Sequence, residues 1–328
     1  MSAAVLFGSF FVLLLLTVPI GYAIGISSLI AIYYFSDIPL IIIAQKSITG
    51  VDSFPLLAIP FFMLAGNLMS SGGIARRLVN FFDALIGHVT GGLGMVTIIV
   101  CMFFAAISGS AVATVSAVGA FMIPEMVDHG YNKPFSAALT AAAGTIGVII
   151  PPSIPFVIYG VVSGTSITDM FTAGFMPGIM MGAALMIVCY FVSKKNGYRG
   201  KEKASSAKEI WVAFKDAFWA ILSPVIILGG IYSGFFTPTE AAVISVVYSF
   251  IVGVFVYKEL DVRGAYKSFK DAIVVNGATT FMVGFSTVFA AFLTMAQIPN
   301  MIAQAILGLT DNAILILLII NIFLLIVG

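Results

Sequence analysis

The sequence predicts an all-α polytopic membrane protein with an inverted-repeat, ion-transporter-like fold. Three observations carry that expectation. The chain is 61% hydrophobic and only 9% charged, with a mean hydropathy of +1.14, whereas a soluble domain carries about 25% charged residues. Apolar runs near the ~20 residues of a membrane span recur along its length. Two of those runs are broken by small, hydroxylated or proline residues, at Ser108-Gly109-Ser110 and from Gly147 to Pro151-Pro152-Ser153. Hydrocarbon offers a free backbone no hydrogen bond, so broken helices persist at membrane depth only inside protein or along a polar cavity. Paired broken helices are the best sequence pointer to a transporter's binding site.

Charge and cysteine content narrow the class. The net charge of +1 points to no nucleic-acid partner. Cys101 and Cys189 each stand alone in an apolar run, as small buried hydrophobes without metal or disulfide spacing. The first apolar run lacks a basic leader and an A-x-A cleavage site, so it reads as a retained span.

The elements follow in order. Val5 to Tyr34, interrupted by Pro19-Ile20-Gly21, is one kinked helix or a helix plus a short second one. Ile38 to Lys46 is a short interfacial piece, and Phe54 to Met69 is a span ended by Gly72-Gly73. In Ile74 to Val89, Arg76, Arg77, Asn80, Asp83 and His88 alternate with apolar residues. That is an amphipathic helix, lying in the membrane plane or on a loop. Gly91 to Ala106 and Ala111 to Met126 are short arms around the Ser108 break, read as a re-entrant hairpin or as two spans. Ala137 to Ile150 and Ile154 to Val162 flank the Pro151-Pro152 break; Ser163 to Thr168 is polar, and Met170 to Val192 is a plain span. Residues 194–208 hold six basic residues against Glu202 alone, which makes this loop cytoplasmic by the positive-inside rule. Phe218 to Tyr232, Thr239 to Tyr257 and Thr279 to Ala296 are spans. Val262 to Ile273 reads as another interfacial helix, Ile298 to Leu309 as amphipathic, and Ala313 to Val327 as apolar.

The chain also resembles itself at a shift of 219 residues, which sets Pro19 on Pro238, Phe62-Met63 on Phe281-Met282, Phe104 on Phe323 and Gly109 on Gly328. Such a repeat suggests a pseudo-symmetric transporter. In this register the second copy stops where the first reaches its hairpin tip, so the expectation is a C-terminally truncated chain. The expected divisions are 1–89, scaffold spans and interfacial helix; 90–169, first hairpin and broken helix; 170–275, connecting and scaffold spans; and 276–328, the start of the second repeat.

The SGSAVAT tip, the GVIIPPSIPFVIYG break, the following SGTSITDMFTAGFMPG and the TPTEAA stretch at Thr237 to Ala242 together resemble the large membrane subunit of TRAP (tripartite ATP-independent periplasmic) transporters. The resemblance covers essentially the whole chain. It implies a sodium-coupled importer of carboxylates, such as C4-dicarboxylates, keto acids or sialic acids, in the bacterial inner membrane. It further implies an elevator-type motion, a periplasmic substrate-binding protein, a separate small four-helix membrane subunit, no organic cofactor and no enzymatic activity.

Na⁺ is a hard cation that takes oxygen ligands, and unwound carbonyls in broken helices supply them. Ser108 and Ser110 add hydroxyls, and Gly147, Val148, Ile150 and Pro152 offer carbonyls, Pro151 and Pro152 having no N–H. By position in the resembling motif, these residues form the first sodium site. The plain alternative is serines bonding back along their helices and prolines that only kink. An anionic substrate suits half-helix N-termini, which nominates Ser110 and Ser153 as donors. Tyr159 and Ser163, with Thr165 and Ser166, line the path or form an ordinary polar loop. Glu240 is a possible intramembrane acid or a helix cap. Arg76 and Arg77 anchor to headgroups, and His88 and His129 have no role. A single-chain sodium–anion symporter is the alternative within transport. A serine hydrolase on Ser108 or Ser110 lacks a base, and a channel lacks a charge ring or filter motif.

Overall fold

The computed structural model describes residues 2–36, 38–310 and 312–327. The expected correspondence of Gly328 with Gly109 lies outside the described residues. Among them the chain is all-helical: α1 Ser2–Leu15, α2 Ile20–Phe35, α3 Ile41–Thr49, α4 Ala58–Ser71, α5 Ile74–Ile86, α6 Gly92–Ser108, α7 Ala111–Asp128, α8 Lys133–Thr145, α9 Ile154–Ser163, α10 Ile167–Asn196, α11 Ala207–Tyr232, α12 Pro238–Ile251, α13 Val262–Met295, α14 Ile298–Leu307 and α15 Ala313–Val327. Among the described residues, six helical segments are long and apolar enough to cross a membrane: Phe54–Ser71, Ala111–Asp128, Ile167–Asn196, Ala207–Tyr232, Pro238–Val256 and Val262–Met295.

Several boundaries differ from expectation for local reasons. Pro19 divides the first run into two helices, α1 and α2, in agreement with the second of its two readings. The anticipated interfacial helix at 262–273 and the span at 279–296 are one 34-residue helix, α13. Gly277 is the only breaker between them, and a lone glycine costs a helix about 1 kcal/mol. α11 starts eleven residues before Phe218 because Ser206 and Glu209 close a capping box ahead of it. α7, 18 residues long, meets the length of a span by itself. The hairpin arms are therefore less short than the sequence reading supposed.

The chain forms two compact units, Met1–Asp52 with Gly277–Gly328, and Ser53–Asn276. In the first, Leu6, Ala31 and Ile32 pack with Val288 and Phe292 of α13. In the second, α6 is the central helix, against α4, α5, α7, α8, α10 and α11. Its Val96, Ile98, Phe104 and Ile107 are fully buried with Val118 and Met122 of α7 and Ile146 beyond α8. Close approach between helices comes from small residues, as in membrane bundles generally. Gly174, Gly178 and Gly182 of α10 face Phe156, Ile150 and Met102 respectively.

α5 is amphipathic, and its Arg77 turns inward rather than out to headgroups. It buries Ile74, Ala75, Leu78, Val79 and Phe82 against α6 and α11. Arg77 is mostly buried; it meets Asp216 at 3.2 Å and Glu259 at 2.8 Å, with its guanidinium 3.8 Å above the Tyr257 ring. Arg76 meets the same Glu259 at 2.7 Å. Arg77, expected as a headgroup anchor, is thus an internal clamp between α5, α11 and the turn after α12, while Arg76 stays largely exposed. The basic loop is also tied down: Lys201 pairs with Asp83, and Tyr198 stacks on Tyr131 at 4.4 Å.

Candidate functional site

Two helix breaks meet inside the second unit. α6 ends at Ser108, and Gly109 turns the chain with φ +62° before Ser110 starts α7. Left-handed backbone of this kind favours glycine. α8 ends in a short 3₁₀ turn, Ile146–Val148, followed by the cis Pro151–Pro152 peptide and Ser153, which starts α9. The Gly109 carbonyl accepts the Ile154 N–H at 3.1 Å. A Cβ on Gly109 would lie 2.8 Å from the Pro152 carbonyl oxygen. A Cβ on Gly147 would lie 3.0 Å from Thr114 Oγ1 and 3.1 Å from the Ser110 carbonyl oxygen. The tip Ser108–Ser110 and the break Gly147–Ser153 are therefore in direct contact.

Neutral oxygens collect at that contact. Thr114 Oγ1 donates to the Ser110 carbonyl at 2.8 Å and lies 3.1 Å from Ser108 Oγ. Ser108 and Thr114 are both fully buried. Gly66 of α4 closes the other side, where a Cβ would stand 2.8 Å from Ser108 Cβ. Among the described residues no three His, Cys, Asp or Glu side chains cluster as metal ligands. The donor set at the tip is thus hydroxyls and carbonyls, the kind a hard monovalent cation takes. Each carbonyl has two lone pairs, so an accepted hydrogen bond leaves one free.

The other nominated residues sort by position. Ser110 Oγ caps α7, accepting the Ala113 N–H at 3.4 Å, and Ser110 also lines a cavity of about 400 Å³ between α4, α7 and α13. Ser153 is fully buried. Its hydroxyl donates to the Val148 carbonyl at 2.7 Å and accepts the Phe156 N–H at 3.3 Å. Its one proton is committed inside the break, so Ser153 serves α9 as a cap and presents no free donor to the cavity. Val148 and Ile150 stand within the break, and Pro152 faces Gly109. Tyr159 and Ser163 are exposed further along α9, with Ser163 about 15 Å from its start at 1.5 Å per residue. Ser163 donates to the Tyr159 carbonyl at 2.7 Å, and its oxygen lies 3.0 Å from the Thr165 hydroxyl, which makes this end a local polar turn. Glu240 closes a capping box with Thr237, its carboxylate accepting the Thr237 N–H and hydroxyl at 2.8 Å each. Of its two readings, the geometry supplies the cap. His88 and His129 are both exposed.

Sequence reading passed over Thr114, whose signal is its place one turn after Ser110 on the same helix face. It also passed over the polar wall of the cavity on α4 and α13. There Asn67 Nδ2 donates to the Ser268 carbonyl at 3.3 Å, and the Ser71 and Ser268 hydroxyls meet at 3.1 Å.

The family model described as "Tripartite ATP-independent periplasmic transporter, DctM component" matches residues 7–328. The isethionate TRAP transporter permease protein DctMQ of Oleidesulfovibrio alaskensis is 46% identical over 324 residues, 99% of this chain and 51% of that protein. The sialic acid TRAP transporter large permease protein SiaM of Vibrio cholerae is 42% identical over 316 residues, 96% of this chain and 74% of that protein. The C4-dicarboxylate TRAP transporter large permease protein DctM of Rhodobacter capsulatus is 36% identical over 342 residues, covering 100% and 78%. The chain thus spans about half the length of the first relative and about three-quarters of the other two. On this evidence the chain belongs to the DctM component family of tripartite ATP-independent periplasmic transporters and is a multi-pass membrane protein.

Proposed function

We propose that this permease carries a small organic anion across the bacterial inner membrane, driven by sodium. The observation that carries the reading is the meeting of the two breaks through Gly109 and Ile154, with the oxygens of Ser108, Ser110 and Thr114 beside Gly147. Na⁺ sits among those oxygens, with carbonyls of Gly147, Val148, Ile150 and Pro152 completing its shell. The anion's acid group sits at Ser110, where the N-terminus of α7 opens to the cavity. Free N–H groups and the positive helix end favour a negative charge there. Cation and anion then stabilise one another across the tip, which couples their movement.

The relatives' names span isethionate, sialic acid and C4-dicarboxylates, so carboxylates and a sulfonate both fit the reading. A periplasmic binding protein delivers the anion, a small membrane subunit accompanies the permease, and residues 194–208 face the cytoplasm. The coupling step is an elevator movement of the hairpin and broken helix.

An inverted repeat underlies this design. Its support is a pair of matching contacts, one in each unit. In the first, Tyr22 of α2 meets Phe281 of α13 at 5.0 Å between ring centroids. In the second, α12 lies along α4. The 219-residue shift carries α2 onto α12 and α4 onto the second half of α13, so corresponding helices pair in both units.

The test is uptake of radiolabelled anion into proteoliposomes holding the intact permease and its membrane partner. Uptake that requires both an inward sodium gradient and the binding protein supports the reading. Sodium-driven uptake without a binding protein would favour a single-chain symporter instead.

A further inference from the structure

The cavity beside Ser110 has a charged wall that the tip does not explain. Lys267 and Asp271 of α13 both line it. Neither makes an ion pair with a described residue, although they are spaced i, i+4 on one helix face, the spacing at which such pairs form. Their segment is pinned in place. Ser268, almost fully buried between them, is hydrogen-bonded to Asn67 and to Ser71 of α4. Lys267, an exposed residue with no ion-pair partner among the described residues, thus lines the same cavity as Ser110.

We propose that Lys267 is a second anion subsite, which receives the carboxylate or sulfonate of the transported molecule after it leaves Ser110. This rests on the proposed reading of Ser110 as the first contact. Lys267 is a strongly hydrated point charge on a flexible stem, suited to brief capture. Asp271, one turn along on the same helix face, competes with the anion for the same ammonium. The pair therefore binds weakly enough to release, a requirement for throughput at any intermediate site. No other cationic side chain lines this cavity among the described residues.

The test uses the intact permease with its partners in proteoliposomes. Lys267→Gln lowers the maximal uptake rate by about tenfold, close to 1.4 kcal/mol, with little change in KM; Lys267→Arg keeps most of the rate. In Lys267→Cys, modification with a cationic ethylammonium thiosulfonate restores uptake, whereas the anionic sulfonate reagent does not. Cys101 and Cys189 are buried and leave the new thiol to react alone. The transported anion also slows that modification, whatever the vesicle's lipid charge.

Equal uptake after both reagents, or no protection by the anion, overturns the proposal. Protection that depends only on anionic lipid overturns it too, in favour of a headgroup contact. The two readings fail separately. If Ser110→Ala lowers uptake while Lys267→Gln does not, only the subsite falls. If neither substitution has an effect, the reading of Ser110 falls with it.

Discussion

Gly109→Ala is the sharpest perturbation of the contact between the breaks. Two costs add there. The residue has φ +62°, and an L side chain in that region costs about 1–2 kcal/mol. The new methyl would also stand 2.8 Å from the Pro152 oxygen, so one break must withdraw. Withdrawal stretches the Ile154 N–H to Gly109 carbonyl bond, for about 0.5–1.5 kcal/mol, and overpacking adds about 1–3 kcal/mol. Gly197 provides the control: its φ is +73°, with nothing within 4 Å of its Cβ position. Gly197→Ala therefore carries the backbone cost alone, and the excess for Gly109→Ala is about 1.5–4.5 kcal/mol. Unfolding in a mixed-micelle titration measures both, and sodium-dependent uptake is read on the same preparations. Gly109→Ala should be the less stable and should lose most uptake; Gly197→Ala should retain it. Equal stabilities and equal uptake would refute the claim that the breaks bear on one another.

Other substitutions separate structural from transport roles. Ser153→Ala removes the cap of α9 and its bond to Val148, so it should cost about 1 kcal/mol in the same titration; unchanged stability would mean that the cap does not matter. Glu240→Gln breaks the ionic half of the box with Thr237, and should lower the melting temperature while leaving sodium-dependent uptake intact; a loss of uptake at normal stability would restore its reading as a working acid. Arg77→Met severs contacts to Asp216, Glu259 and Tyr257, and should cost about 1–3 kcal/mol, between the surface and buried limits. Stability equal to wild type would return Arg77 to a headgroup role.

How much was legible in the sequence depended on the kind of signal. The helix breaks were plain, because Gly109 and Pro151-Pro152 act through the local backbone, and their effect does not depend on neighbours. The capping motif at Thr237–Glu240 was equally local, and its two readings differed only in what surrounds the carboxylate. The join of 262–273 to 279–296 was missed, since charge at Arg263, Lys267 and Lys270 suggested a separate interfacial helix. A helix that is charged at one end and apolar at the other produces the same pattern. Arg77 was misread for a different reason: its partners Asp216 and Glu259 are far along the chain, and no local pattern announces them. The same holds for the α4–α13 bonds through Asn67, Ser71 and Ser268.

The central claim is that the oxygens at the meeting of the two breaks hold sodium. Its most direct test is the melting temperature of the purified intact permease in sodium chloride against choline chloride. A bound ion stabilises by about 2.7 kcal/mol at a hundred times its Kd. Wild type should therefore melt higher in sodium, and the difference should shrink sharply in Ser108→Ala and in Thr114→Val. A sodium shift of equal size in all three proteins, or none in wild type, would contradict the account.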